Sequence, residues 1–480
     1  MPRWEMRRWL GFLLVICLAG HVYLAFALGL SVDEAHYALY AAHPALSYFD
    51  HPPLVGWLQM PFVFLGGSDW LFRVVPLGWW VLTAWALWRW SGKWSLWALA
   101  LFLLSPIHHL LGLALVPDAL LLPLTLWVMV LTWKLSDDIA SVRLWLSLGV
   151  ALGLSGLSKY TGVFLAMSCA ALLLAVHGLA LFKARGLYLA ALVAAVMVSP
   201  VLIWNAQNDW VSFTYQINHA SGNQSWTLMN VLKFDVIQLV SYGTLPLLGL
   251  VVFLWKLQPD HKHLTRLCLA FGLPTLLLAT YSSGKGSALP HWTATGWLAL
   301  LPLSALGLQH LWHAARAARV LVCGLGLLQA MSIAALGLLM ATGGQWRGES
   351  LLGARGNPFA DLHDWQAAAH RAADLQKEHH ADALAVSNWT LASRLAWYAR
   401  AAGASESAAG VADSSTKVWA LDGKNKQFDM WFGNLEYGAR YIWLDWSQMP
   451  MQPPVGCRLL QANTLQGRYS QFDFYLCGRP

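Results

Sequence analysis

The chain has 480 residues, of which 57% are hydrophobic and 11% are charged, and its formal net charge is +7. Soluble domains carry about 25% charged residues, so this composition excludes an ordinary water-soluble protein. The sequence has no GxxxxGK[ST] loop, no GxGxxG motif and no CxxC pair. Soluble nucleotide chemistry, zinc ribbons and nucleic-acid partners therefore have no support.

Apolar runs of spanning length follow one another through the first 342 residues. They predict an all-α polytopic membrane domain of about eleven transmembrane helices, whose backbone groups are satisfied within each helix. No small-residue cleavage motif follows the first run, so we expect it to be retained. The runs fall at about 9–30, 70–90, 94–112, 118–135, 143–159, 161–182, 186–204, 234–255, 264–282, 290–311 and 318–342.

Lysine and arginine are distributed unevenly between the two sets of connecting segments. If the N-terminus is cytoplasmic, the inner segments hold fourteen of these residues. The outer segments before residue 343 hold only four, Arg73, Lys159, Lys233 and Lys285. Positive residues concentrate on the cytoplasmic side of membrane proteins. The bias therefore predicts outer loops at 31–69 and 205–233 and an outer C-terminus.

The composition becomes polar after about residue 342 and contains no further span. We predict a soluble outer α/β domain over 343–480, with a helix near Asn388–Arg400, a loop at Ala401–Gly410 and three strands. Cys457 and Cys477, twenty residues apart, either form a disulfide or remain two free thiols. The predicted strands are Lys417–Leu421, Arg440–Asp445 and Gln471–Cys477.

Ionisable residues next to a membrane are costly and need a partner or a function. Ser31 and Glu34 have the spacing of a helix capping box, which leaves Asp33 as the candidate functional acid. Asp118 follows Pro117 at a predicted helix start, where a carboxylate is favourable in any case. Lys159 interrupts an apolar region on the outer side, either as a snorkelling lysine or as a phosphate ligand.

Together these outer residues match the needs of an enzyme that uses a lipid-phosphate donor. Lysine or a metal would hold the phosphate, because the leaving group gains negative charge in the transition state. A carboxylate would accept the proton of the attacking hydroxyl. A lipid tail could reach such a site sideways from the bilayer.

The motifs in this order resemble bacterial protein-mannosyltransferase-like GT-C glycosyltransferases, a group that includes the lipid A aminoarabinose transferases. The similarity extends through about residue 342, and the segment from Asn425 to Trp431 is also similar to bacterial relatives. The residues that carry it are Asp33-Glu34, Tyr48-Phe49-Asp50-His51-Pro52-Pro53-Leu54, Pro117-Asp118-Ala119, Leu157-Ser158-Lys159-Tyr160 and Gly284-Lys285 with His291-Trp292.

The resemblance implies inverting transfer of a sugar from a polyprenyl phosphate at the periplasmic side of the bacterial inner membrane. It implies that Asp33 is the base or an acid that orients the acceptor, and that Asp118 is a second essential acid. Lys159 and Lys285 would lie near the donor phosphate. The other residues expected to contact substrate are Glu34, His51, Tyr160 and His291.

Two further residues are candidate ligands of a divalent metal ion. Asp50 stands where a relative has a Glu beside a Lys, and here that Lys is His51. His51 could replace the lysine only if it is protonated, or it could itself bind a metal. His219 falls near a loop histidine of the relatives, so a metal held by Asp50 and His219 is predicted on two ligands.

The predicted partners are a polyprenyl-phosphate sugar, a lipid or glycan acceptor (lipid A, another envelope glycan or a protein) and membrane lipids. A transporter or lipid flippase is the alternative, and it would show inverted repeats, broken helices and ionisable residues at mid-membrane depth. An envelope polymerase or ligase that transfers whole lipid-linked glycans would share most of the same features.

Overall fold

The predicted apolar runs are all helical in the computed structural model of the chain. Each of the eleven runs overlaps one helix or a pair of helices. A small mixed sheet with flanking helices follows them, which confirms the predicted fold class. The structure describes residues 3–90, 92, 94–221, 225–256, 259–346, 349–351, 356–404, 416–423, 426–436, 438–466 and 469–478.

Seven helices within the described residues are long and apolar enough to cross a membrane. Two bent helix pairs raise that number to nine if each pair is one broken span, so the count of eleven is not confirmed. The pairs are Ser95–Leu103 with Pro106–Leu113, bent by 72°, and Leu228–Tyr242 with Thr244–Trp255, bent by 105°. The seven helices are Trp4–Ala27, Asp69–Arg89, Pro117–Asp137, Tyr160–Lys183, Arg185–Gln207, Lys262–Gly284 and Arg316–Ala341.

The remaining helical segments are shorter or less apolar. Two of them fall within predicted runs, Val142–Ser158 and Ala294–Ala314. The others are Val32–Ala42, Leu54–Trp57, Met60–Phe64, Val211–Ser221, Trp365–Glu378, Trp389–Ala404 and Lys426–Phe432, with 3-10 turns at Tyr160–Gly162, Gly178–Lys183, Pro259–His261, Pro290–Thr293 and Ala360–Leu362.

Pro117–Asp137 is the most enclosed of the spanning helices. In its most apolar window 72% of the residues are buried, against 11% in Arg316–Ala341 and 17% in Trp4–Ala27. A helix that is apolar on all sides suits either environment, so its neighbours decide which one it has. Pro117–Asp137 is packed against Val74–Arg89 and Val142–Ser158. Asp118, in its first turn, is therefore held inside protein rather than in lipid.

The chain divides into two compact units that are not continuous in sequence. The first comprises Met1–His21, Leu46–Val55 and Val74–Ala334. The second joins Val22–Ala45 and Gly56–Arg73 to Ala335–Pro480. Two segments of the predicted outer loop 31–69 thus belong to the compact unit that contains the C-terminal region. The functional boundary at residue 342 remains a prediction.

A five-stranded mixed sheet forms the centre of the second unit. Its first three strands in spatial order are parallel, and the last two are antiparallel to their neighbours. The three predicted strands are present, whereas Ala383–Val386 and Arg458–Gln466 were not predicted. A two-stranded ribbon pairs Gln345–Trp346 with Glu349–Ser350. The order of the sheet is Lys417–Ala420, Ala383–Val386, Tyr441–Trp446, Gln471–Cys477 and Arg458–Gln466.

The predicted helix near residues 388–400 is Trp389–Ala404, which packs on Val32–Ala42. Buried side chains of both helices share one hydrophobic core with the sheet, including Leu39, Leu395 and Phe474. The helix extends to Ala404, so the predicted loop at Ala401–Gly410 begins too early. The rest of that loop and Asn425 lie outside the described residues.

Cys457 and Cys477 form a disulfide, which confirms the first of the two predicted alternatives for these cysteines. Closing a loop of about twenty residues stabilises a domain by roughly 3 kcal/mol. We therefore expect the Cys457→Ser variant to melt several degrees below the wild type in thermal unfolding of the purified protein. The control is Cys323→Ser, which removes a free, exposed thiol. Equal melting temperatures for Cys457→Ser and the wild type would contradict a stabilising bridge.

Candidate active site

Asp118 and Lys159 form a buried ion pair at one end of the membrane helices. Pro117 begins the helix Pro117–Asp137 after the extended backbone of Val116, so Asp118 lies in the first turn, where the helix dipole favours a carboxylate. Lys159 is the residue after Val142–Ser158. Its Nζ donates to both Asp118 carboxylate oxygens, at 2.8 and 2.6 Å.

The burial of this pair argues against the snorkelling interpretation of Lys159. Asp118 is 4% exposed and Lys159 6% exposed, so Lys159 does not extend toward headgroups as a snorkelling lysine would. Ser158 Oγ donates to the Pro117 carbonyl at 3.0 Å, which fastens the two helix ends together. An ammonium has three N–H donors. Two of those of Lys159 are directed at Asp118, which leaves one for a ligand.

His291 completes the immediate surroundings of Asp118. Its Nε2 lies 3.6 Å from Asp118 Oδ2. His291 belongs to the 3-10 turn Pro290–Thr293, and a buried network holds that turn. Thr293 Oγ1 donates to Gln238 Oε1 at 2.5 Å, and Tyr242 Oη donates to the Pro290 carbonyl at 3.0 Å.

Trp292, the next residue in this turn, faces the same lysine. Lys159 Nζ lies 5.7 Å from the centre of the Trp292 ring. An ammonium is attracted to the face of an indole at this separation. Trp292 therefore limits the directions from which a ligand could reach the third N–H of Lys159.

The turn Tyr48–Pro53 is held in the same unit by Val211–Ser221. Ser212 Oγ donates to the Tyr48 carbonyl at 2.8 Å, and Gln216 Nε2 donates to the Asp50 carbonyl. Asp50 is 7% exposed. His51 is close enough that its charge, when protonated, stabilises ionised Asp118. His51 thus lies in the same unit as Asp118, Lys159 and His291, within electrostatic range of Asp118.

His219 lies on Val211–Ser221, between the side chains of two aromatic residues. Its ring stacks on Tyr215, with centres 5.5 Å apart, and meets Trp292 edge-on at 5.4 Å. Burial lowers the pKa of His219, and the charge of Lys159 lowers it further against the opposing effect of Asp50. His219 is therefore neutral at pH 7. Burial and the charge of Asp50 raise the pKa of Tyr215 to about 12, so its phenol stays protonated.

Asp50 and His219 are the two predicted metal ligands. A transition-metal or Zn²⁺ site normally takes three or more protein ligands. No group of three His, Cys, Asp or Glu side chains suited to a metal occurs in the part of the chain that the structure describes. The pair does not by itself fit such a site, so we derive no step through a metal, and the metal remains a prediction.

Tyr160 and Lys285 are less closely tied to Asp118. The Tyr160 ring packs on Phe213, with centres 5.1 Å apart. Lys285 follows Lys262–Gly284, and its Nζ lies 5.7 Å from the centre of the Tyr281 ring. No ion pair joins Lys285 to the Asp118 group among the described residues. Their predicted contacts with substrate remain predictions.

Glu34 caps a helix and forms a buried ion pair in the second unit. Its carboxylate accepts from the Ser31 backbone N–H at 3.0 Å while Ser31 Oγ accepts from the Glu34 N–H, which confirms the predicted capping box. Arg73 Nε donates to Glu34 Oε1 at 2.9 Å, and both side chains are almost fully buried. The predicted role of Glu34 in substrate binding remains a prediction, for which this geometry provides no argument.

Arg73 also binds the end of the first helix. It donates to the carbonyls of Ala25, Leu28 and Gly29 at 3.0, 2.7 and 2.7 Å. Asp33 precedes Glu34 in the same first turn and is half-buried. Its negative charge acts on the buried guanidinium of Arg394 in the same unit. The role of Asp33 as base remains a prediction.

Several positioning residues could not be identified from the sequence. Ser212, Gln216 and Thr293 act through hydrogen bonds to residues distant in the chain, which have no sequence signature. Arg73 had a usable signal, because it is one of only four cations predicted on the outer side. Gln238 was also detectable as a polar residue within an apolar run.

Comparisons with known proteins support the fold and the family resemblance. Residues 50–204 match the family described as dolichyl-phosphate-mannose-protein mannosyltransferase. A lipid A galacturonosyltransferase, RgtD of Rhizobium johnstonii, is 25% identical over 283 residues. That alignment covers 56% of this chain and 58% of the relative, so it spans less than two thirds of the relative's length.

The solved structure of ArnT from Cupriavidus metallidurans in the apo state is similar over nearly the whole chain. The TM-score is 0.63 with 13% sequence identity, and the match covers 98% of both chains. At this identity the likeness concerns the fold alone. Together the comparisons confirm the resemblance indicated by the motifs, and the chain is a multi-pass membrane protein.

Proposed function

We propose that this chain, a protein-mannosyltransferase-like membrane protein of the GT-C fold, is an inverting glycosyltransferase that uses a polyprenyl-phosphate sugar. The observation that carries the proposal is the buried Asp118–Lys159 pair with His291 beside it. A buried ion pair gives weak net stability, because both charges must be desolvated. Its place at a helix end, beside aromatic and imidazole side chains, is better explained by a phosphate ligand.

The proposed reaction exchanges one bond to the sugar for another. The acceptor oxygen forms a bond to the anomeric carbon as the bond from that carbon to the phosphate oxygen breaks. The bonding electrons leave with the polyprenyl phosphate, and the acceptor proton passes to a carboxylate. Attack from the face opposite the phosphate inverts the configuration at the anomeric carbon.

Lys159 is proposed to bind the donor phosphate while the negative charge on that phosphate increases in the transition state. Asp118 accepts two N–H groups of Lys159 and so orients the third toward the ligand. A preoriented ammonium in a low-dielectric site stabilises a developing anion without reorganisation. His291 and His51 are additional donors when protonated. Phosphate binding explains the grouping of these polar side chains better than a purely structural ion pair does.

Asp33 is proposed as the base that accepts the acceptor proton. Glu34 closes the helix cap and binds Arg73, so it is already engaged. The family resemblance implies that Asp33 is the base or an acid that orients the acceptor. The proposed acceptor is lipid A or a related envelope lipid, because the curated relative is named for lipid A. The proposed orientation has the C-terminal region in the periplasm, where a disulfide persists.

A transporter is the competing function. The two bent helix pairs favour it, since transporters commonly contain broken helices. Transport sites, however, lie near the bilayer midplane. Asp118 and Lys159 lie at helix ends instead, which favours an enzyme acting at the membrane surface.

Mass spectrometry of lipids and envelope glycans from cells with and without the gene distinguishes these functions. If the chain is a transferase, a polyprenyl-phosphate sugar should accumulate in the deletion strain, and an acceptor should become lighter by one sugar. Re-expression of the wild-type chain should reverse both changes. If acceptor masses and donor lipid stay unchanged on deletion, the glycosyltransferase proposal is wrong and the transporter takes its place.

Replacing Lys159 by Gln tests the phosphate contact. The amide can still donate to Asp118, but the charge is lost. Hydrogen bonds to charged groups contribute about 1.5–3 kcal/mol, so we expect the KM for donor lipid to rise about ten- to a hundredfold. The KM for acceptor should change much less. Steady-state kinetics with purified protein and both substrates measures this difference.

The matched control is Lys233→Gln, which removes an exposed cation of the same predicted face. It should leave both KM values near those of the wild type. If donor KM is unaltered in Lys159→Gln, Lys159 serves only to neutralise Asp118.

A further inference from the structure

A large cavity lies among the membrane helices of the first unit, and Asp118 is not part of its lining. Its volume is about 2190 Å³, whereas small-molecule sites usually measure about 300–1,000 Å³. The last turn of Pro117–Asp137 contributes Lys134 and Asp137 to its lining. Asp118 lies in the first turn of that helix, whose 21 residues extend over about 30 Å. The lining extends along this helix as far as Pro123 but does not include Asp118, Lys159 or His291. The charged end of the cavity is therefore distant from the Asp118 cluster.

The walls of this cavity are mostly apolar and rich in tryptophan. Tryptophan prefers the boundary between hydrocarbon and headgroups, where its ring is apolar and its N–H remains hydrated. Aliphatic side chains from several helices lie between the indoles, including Leu82, Leu172 and Val176. These walls suit acyl chains. The tryptophans are Trp79, Trp85, Trp90, Trp94, Trp127 and Trp133.

Four cations also line the cavity, each at or near a helix end: Arg89, Lys134, Lys256 and Arg266. The acids that line it are Asp137 and Asp260, which gives a formal excess of two positive charges with histidines neutral. None of the four cations forms an ion pair with any residue that the structure describes. A phosphate would supply the missing countercharge.

The positive-inside rule alone would place cations on this side of the membrane. What it does not explain is their position around one concavity with tryptophan walls. Other cations of the same predicted face, such as Arg143, Lys183 and Arg316, do not line the cavity. The chain therefore provides its own comparison between cavity charges and general surface charge.

We propose that this cavity binds an anionic phospholipid, with the phosphate against Arg89, Lys134, Lys256 and Arg266 and the acyl chains along the tryptophan walls. A basic pocket between transmembrane helices is the usual receptor for such headgroups. The reacting phosphate of a donor bound at Asp118 would be at the opposite end of the helix. A membrane phospholipid thus fits the cavity better than the donor does.

The test uses the purified full-length chain in a neutral detergent, with phosphatidylglycerol or phosphatidylcholine added. Phosphatidylglycerol should raise the melting temperature in a saturable manner, because a ligand that binds only the folded state stabilises it. Phosphatidylcholine, which has no net charge, should raise it much less. Native mass spectrometry of the same samples should show one retained phosphatidylglycerol.

Three substitutions together, Arg89→Gln, Lys134→Gln and Arg266→Gln, should weaken this binding about a hundredfold, since each cation near an anionic headgroup contributes about a factor of five. The matched control, Arg143→Gln with Lys183→Gln and Arg316→Gln, should keep wild-type affinity. Because the triple cavity variant could fail to fold, Lys134→Gln alone is measured as well. It should weaken binding about fivefold.

Several results would overturn the proposal. An equal loss of affinity in the cavity and control variants would mean diffuse attraction to the whole basic face. Absence of any saturable shift with phosphatidylglycerol would mean that no such site exists. A cavity-dependent shift with polyprenyl phosphate, but none with phosphatidylglycerol, would assign the cavity to the donor lipid.

Discussion

Replacing Asp33 by Asn is expected to lower the turnover number about 10²- to 10⁴-fold, the usual contribution of a positioned general base. The substitution removes the negative charge and the proton-accepting oxygen while leaving almost the same volume. As a charge in the first turn of a helix, Asp33 should contribute about 0.3–1 kcal/mol to stability. Arg394, on which its charge also acts, keeps Asp361 as its ion-pair partner in the variant. The variant should therefore fold and insert normally.

This result is measured as the initial rate of sugar transfer at saturating donor and acceptor, with purified protein. Donor binding, measured separately, should remain near the wild-type value. Asp235→Asn is a suitable control, because Asp235 is an exposed acid on Leu228–Tyr242. Turnover close to wild type in Asp33→Asn would show that another group accepts the proton.

Replacing Arg73 by Met is expected to cause the largest loss of stability. Arg73 is 1% exposed and makes bonds to both Glu34 oxygens and to three backbone carbonyls. Removing one partner of a buried ion pair leaves an uncompensated charge, at a cost of about 3–5 kcal/mol. We expect a melting temperature lower by many degrees and a reduced yield of folded protein.

A double variant separates the charge effect from the loss of the arginine bonds. Adding Glu34→Gln to Arg73→Met removes the uncompensated carboxylate, so part of the stability should return. The rest should stay lost, because the carbonyls of Ala25, Leu28 and Gly29 still lack a donor. Thermal unfolding in detergent measures both changes. A melting temperature for Arg73→Met equal to that of the wild type would contradict the assigned role of Arg73.

The adjacent residues Asp33 and Glu34 are expected to respond differently to substitution. Glu34 and Asp33 are adjacent in one helix turn, yet Glu34 is bonded to Ser31 and Arg73. Loss of Glu34 should therefore reduce the amount of folded protein. Loss of Asp33 should instead reduce the activity of a normal amount of protein. Quantifying folded protein by size-exclusion chromatography keeps the two effects apart.

Local patterns were sufficient to predict the membrane character and the helices. Hydropathy is a property of neighbouring residues, so every predicted apolar run proved helical. The capping box at Ser31 and Glu34 was also local, because its two partners are three residues apart. The strand Ala383–Val386 was missed since all four residues are buried and no alternation marks them.

The types of the site residues were visible in the sequence, but their partners were not. Asp118 and Lys159 stand out in the sequence as ionisable groups in apolar surroundings. Nothing local indicated that they bind each other across 41 positions, or that Glu34 binds Arg73 across 39. Such pairing depends on how helices pack, which is set by contacts between residues distant in the chain.

By itself, the sequence determined that this protein is a helical membrane protein with polar chemistry at helix ends and a terminal α/β region. Only the tertiary structure decided that Lys159 is engaged by Asp118, that Glu34 is paired with Arg73, and that 22–45 and 56–73 join the C-terminal unit. The physical reason is that hydropathy and residue spacing are local properties of the chain. An ion pair instead forms between charged side chains that tertiary packing brings together and removes from water.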